Sequence, residues 1–126
     1  MEWITKGAWL GLALVHMMPA VVLFVPQLTE RLYAVSATGE TGVLLVHRGA
    51  LFLAIVVAAL YAVLDPNTRR LASIVVVISV VGFLLVYARS GYPAGSLRMI
   101  AWVDMAALIP LAWVIWSAWF DGSEGN

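Results

Sequence analysis

The amino-acid sequence predicts an all-α protein: an integral membrane up-down four-helix bundle with a short interfacial helix in its first link. Three observations lead there. Of 126 residues, 63% are hydrophobic and only 11% charged, too few polar side chains to clothe a soluble domain of this size. Four long apolar runs, about 4–25, 43–64, 71–88 and 99–120, meet or nearly meet the roughly 20 residues needed to cross a hydrocarbon core of about 30 Å. Short polar stretches rich in Gly, Pro, Ser and Asp separate the last three runs.

The first run, Ile4 to Val25, stops at Pro26 with no small-residue cleavage pattern after it, so it reads as a retained span. The link that follows contains "LTERLYAV". There Leu28, Leu32 and Val35 recur at helical spacing with Glu30 and Arg31 on the other side, the pattern of a short helix lying on headgroups; an ordinary loop is the alternative. The second run, Val43 to Leu64, ends at "DPN", the third, Leu71 to Ala88, at "RSGYPAGS", and the fourth, Met99 to Phe120, at "DGSEGN". In lipid each backbone amide must bond within its own segment, so all four runs are expected to be helices. The short links at 65–70 and 89–98 make neighbours antiparallel. The whole of 1–126 then forms a single transmembrane domain.

An even number of spans puts both termini on one face. Trp3 and Trp9 fall there together with Trp113, Trp116 and Trp119, as an aromatic belt requires. Lys6, Arg69 and Arg70 mark that face and Arg31, Arg89 and Arg98 the other, with Arg31, Arg69 and Arg70 read as headgroup-facing charges. The numbers balance; the adjacent pair Arg69 and Arg70 in the shortest link favours cytoplasmic termini in a cell (inner) membrane. Net charge is zero and there is no cysteine. Nucleic-acid partners, disulfides, thiolate metal sites and thiol catalysis are therefore not expected.

The informative feature is where the polar side chains fall. By helical rise, His16, His47, Arg48, Tyr87, Arg89, Arg98 and Asp104 all lie in the half bounded by the first and third links. An unpaired charge at such depth costs about 2.5 to 3.5 kcal/mol on insertion scales, so these groups are expected to face inward and pair. Asp104 is the only acidic residue inside a span and Arg48 the deepest basic one, which predicts a bidentate pair between them. His47 and Arg48 differ by about 100° around their helix, so both line a pocket only if it is wide. Pro19 cannot donate to the carbonyl of Val15, which predicts a free acceptor and a kink beside His16. Ala101 and Ala107 flank Asp104 at helical spacing and permit close helix approach.

Each feature has two readings. Arg48 with Asp104 is either inter-helix glue or part of a ligand pocket, and His16 and His47 are either packing residues or pocket groups. Two histidines on adjacent helices could also ligate a haem with Arg98 or Arg89 at its propionates. No attachment motif supports that, and no metal or other cofactor is expected.

At "ALVHMMP", "LLVHRGALF" and "WVDMAAL" the chain resembles a family of small, uncharacterised bacterial four-span membrane proteins. That pattern has His-x-x-Pro in the first span, His-Arg-Ala/Gly-x-Leu-Phe opening the second and Asp early in the fourth. The matching positions are His16 and Pro19, then His47 and Arg48 with Phe52 nearby, then Asp104; the arginine that precedes the histidine in the pattern is Val46 here. Some members carry a nucleotidyl-transferase name, but no phosphate-cradling glycine loop accompanies it in this sequence. In architecture the chain is also similar to the DoxX-like four-span proteins.

The functional expectation is an intramembrane pocket binding a small amphiphile, a lipid or quinone-like molecule. Its candidate ligand-binding residues are His16, His47, Arg48, Asp104, Tyr87 and Arg98. Arg48 and His47 would contact the polar group, Asp104 would orient Arg48, and His16 would serve the pocket floor. A His, Asp and Arg set could also move protons, so an isomerase-type or redox-accessory activity is compatible with it. The alternatives are a non-catalytic accessory or assembly subunit of a membrane complex, and a proton-coupled small transporter acting alone or as a homo-oligomer.

Overall fold

The computed structural model of the protein describes residues 1–121; residues 122–126, the end of the expected 1–126 domain, lie outside the described residues. Among the described residues, five α-helices and one 3-10 turn account for the secondary structure, in the order α1 (Glu2–Val21), α2 (Leu28–Tyr33), α3 (Gly39–Leu64), the 3-10 turn Pro66–Thr68, α4 (Arg69–Arg89) and α5 (Ser96–Trp119). Four helices are long and apolar enough to cross a membrane: α1, α3, α4 with the turn before it, and α5. The expected short helix in the first link is α2. It stops at Tyr33, where Ala34 takes a left-handed conformation and its N–H and that of Val35 turn back to the carbonyls of Glu30 and Thr29.

The long helices form a four-helix bundle. α1 packs on α3 and on α5, and α4 packs on α5 and, least extensively, on α3. That ring leaves α1 and α4 on one diagonal and α3 and α5 on the other. Each helix turns a stripe inward at steps of three and four residues, the period that keeps side chains on one face. On α5 the stripe is Ala101, Asp104, Ala107, Leu111, Val114 and Ser117; on α1 it includes Thr5, Trp9, Leu12, His16 and Ala20. Asp104 and His16 therefore occupy core positions. The other faces are apolar and uncovered, with Ile78 68%, Leu14 70% and Ile109 78% exposed.

Helix α1 meets α3 backbone to backbone near Gly49. A Cβ there would come within 2.8 Å of the Leu23 nitrogen and 3.3 Å of the Pro19 carbonyl oxygen. Only glycine permits this approach, and it brings the neighbouring Arg48 up to the C-terminal end of α1.

Polar contacts fasten the end of the bundle that holds both termini. Arg69 donates from Nη2 to Glu2 Oε1 at 2.6 Å, from Nη1 to Glu2 Oε2 at 3.2 Å, and from Nε to the Ala62 carbonyl at 2.7 Å. Thr5 Oγ1 accepts from the Trp113 indole and lies 3.4 Å from Ser117 Oγ, while Trp119 donates to Ser73 Oγ. Two expectations change here. Arg69 does not face headgroups: it is 1% exposed, because the chain reverses at 65–68 and folds its guanidinium under α1. Trp9 is no belt residue either, being fully buried in the core beside Leu12, with an indole N–H that meets no acceptor among the described residues.

Candidate functional site

At the other end, α2 folds over the bundle mouth and roofs a cavity of about 210 Å³. Leu32 and Tyr33 of α2 cover it, and Val15, Met18 and Pro19 of α1 form one wall. Phe52 of α3 and Met99, Ile100 and Val103 of α5 form the others. Its polar groups are His16, Tyr33, Arg48 and Asp104. A second, open groove of about 800 Å³ runs between α3 and α4, where those helices pack least. Ala54, Ile55 and Ala58 line one side and Val75, Gly82 and Val86 the other. Arg48 and Phe52 line both spaces, so cavity and groove meet at Arg48.

Arg48 is held by rings. Its guanidinium carbon lies 4.9 Å from the Phe52 ring centroid, 5.3 Å from Tyr33 and 5.9 Å from Phe83. Aromatic faces attract a cation without using its N–H groups, each contact contributing about 0.5 to 2 kcal/mol. Among the described residues no acceptor makes a hydrogen bond to any of the five guanidinium donors.

Asp104 is 9% exposed and lines the same cavity. The expected bidentate pair does not form: no ion pair joins Arg48 and Asp104 among the described residues, although Arg48 acts electrostatically on the carboxyl group. The physical reason lies in the walls. Arg48 is held among the rings of Tyr33, Phe52 and Phe83, while Asp104 is fixed in the buried stripe of α5 on the diagonally opposite helix. Burial pushes the Tyr33 phenol above its ordinary range, against the pull of Arg48, so its hydroxyl stays protonated in the neutral range.

His16 bridges the diagonal. Its Nδ1 lies 2.8 Å from the Leu12 carbonyl oxygen and its Nε2 2.9 Å from Ser79 Oγ. A carbonyl only accepts, so Nδ1 carries the proton; in neutral imidazole the Ser79 hydroxyl then donates to Nε2. His16 lines the cavity and Ser79 the groove, so this bond lies in the partition between them. The Phe52 ring, 5.7 Å from the imidazole, completes that partition. Ser79 escaped the sequence reading because a lone serine in an apolar run carries no signal; its depth, matching His16 across the bundle, was the available clue.

The remaining candidates stand elsewhere. His47 is exposed on the outer face of α3, since the rotation of about 100° that turns Arg48 inward turns its neighbour away. The two histidines therefore do not face one cavity, as a shared haem would require. Tyr87 is buried but donates to the Pro93 carbonyl at 2.6 Å and packs on Phe83 and Tyr92, tying down the link after α4. Arg98 and Arg89 are exposed and line neither space. Of the six expected site residues the structure thus gathers His16, Arg48 and Asp104, and adds Tyr33, Phe52 and Ser79. Among the described residues no three His, Cys, Asp or Glu side chains cluster as metal ligands. No family model, curated protein or solved structure matches this chain.

Proposed function

We propose that the protein is a multi-pass protein of the cell membrane, with cytoplasmic termini, that binds one amphiphile, its polar head at Arg48 and its chain in the groove between α3 and α4. The carrying observation is Arg48 itself: a cation caged by three rings, its hydrogen-bond donors meeting no acceptor among the described residues, at the junction of an apolar groove and a cavity. The uncovered apolar faces of all four long helices support a bilayer as solvent. From Arg48 to Ala58 the groove runs about 15 Å along α3, half a hydrocarbon core of about 30 Å and so about one leaflet.

In this setting the tail gains little, because lipid surrounds it equally well outside the groove. Affinity has to come from the head. A hydrogen bond to a charged donor contributes about 1.5 to 3 kcal/mol, or roughly 10- to 100-fold in binding. Native mass spectrometry of gently extracted protein is the test. Wild type retains a small amphiphile, whereas Arg48→Gln, which keeps a long polar side chain, and Gly82→Phe, which fills the groove, release it. A wild type that emerges bare and takes up no added amphiphile overturns the proposal.

A further inference from the structure

Resting on that amphiphile reading, the geometry points to the class of head: a single neutral six-membered ring bearing carbonyl or hydroxyl groups, the chemistry of a quinone or a phenolic lipid, seated in the cavity beneath α2.

Size comes first. A cavity of about 150 Å³ accommodates benzene, so one of about 210 Å³ takes a six-membered ring with a few small substituents. A hydrated phosphodiester with its glycerol needs more room and many more polar partners than this lining provides. Shape agrees with size. Phe52 and Tyr33 present aromatic surface to the cavity, and Met18 and Met99 add thioether side chains that adapt to a flat guest.

Charge separates the remaining candidates. A phosphate or carboxylate drawn to Arg48 would share the cavity with Asp104, a second acidic group at 9% exposure. Placing two anions together in an apolar space is strongly unfavourable. A neutral ring meets no such conflict. Its carbonyl oxygen accepts from Arg48, and a hydroxyl elsewhere on the ring donates to Asp104. The groove then takes the side chain of the ring through the junction at Arg48 and Phe52.

The experiment is a paired equilibrium titration of the detergent-solubilised protein with a decyl-substituted benzoquinone and with decyl phosphate, two probes of equal chain length. Wild type binds the quinone at least tenfold more tightly, and Asp104→Asn, which removes the acidic group while keeping its shape, narrows the preference at least fivefold by admitting the phosphate. Thermal unfolding of the variant confirms that it is folded; should it not be, wild type at rising salt and the Arg48→Gln variant provide the same comparison of the two probes. Tighter binding of decyl phosphate overturns the ring assignment and leaves the amphiphile reading standing. Failure of both probes overturns both.

Discussion

His16 on α1 and Ser79 on α4 meet at 2.9 Å across the bundle diagonal, joining two helices that otherwise scarcely touch. Imidazole buried without its second partner loses a hydrogen bond it cannot recover from lipid. Ser79→Ala is therefore expected to lower stability by about 1 to 3 kcal/mol, the cost of an unsatisfied buried group. Ser79→Thr, which keeps the hydroxyl, is expected to retain most of it. Thermal unfolding in one detergent compares the three proteins.

Two glycines should respond in opposite senses. At Gly49 the added Cβ of alanine meets the backbone of Leu23 at 2.8 Å, and a backbone cannot rotate aside. Gly49→Ala is expected to cost about 1 to 3 kcal/mol through forced separation of α1 and α3. At Gly82 nothing lies within 4 Å of the new atom. Gly82→Ala is expected to be neutral or stabilising by up to about 1 kcal/mol, the helix-propensity difference. Paired melting curves decide both.

The pair of Glu2 and Arg69 holds the closed end. Arg69 is 1% exposed and Glu2 48%, so removing the carboxylate takes a charged acceptor away from a buried cation. Glu2→Gln is expected to destabilise by about 1 to 3 kcal/mol, below the range for a fully buried pair. Chemical denaturation in mixed micelles gives the difference, and a loss near zero would show the pair to be incidental.

His47 and Arg48 test whether sequence adjacency or helical direction decides membership of the site. His47→Ala is expected to change neither stability nor amphiphile retention by a measurable amount, whereas Arg48→Gln lowers retention at least tenfold. Loss of binding in the histidine variant would return His47 to the site.

These contrasts mark what the sequence could reveal. Four helices and the short α2 were legible because apolar run length and backbone hydrogen bonding in lipid leave few alternatives. The depth of His16, Arg48 and Asp104 was legible too, since rise per residue converts position into level. Azimuth was not. Level alone could not tell that Arg48 turns inward while His47 turns out, or that Trp9 enters the core while Trp3 stays exposed. Nor could charge counting show that Arg69 folds beneath Glu2 or that aromatic rings, in place of Asp104, hold Arg48. Those outcomes depend on which side of each helix its neighbours cover.

The most direct test of the amphiphile site exploits the absence of cysteine from the sequence. With Gly82→Cys as the sole thiol, labelling by a lipid-soluble thiol reagent in membranes reports on the groove. The account expects an added decyl-substituted amphiphile to slow labelling at least tenfold and the Arg48→Gln background to abolish that protection. A labelling rate indifferent to the amphiphile, or protection that survives loss of Arg48, would contradict it.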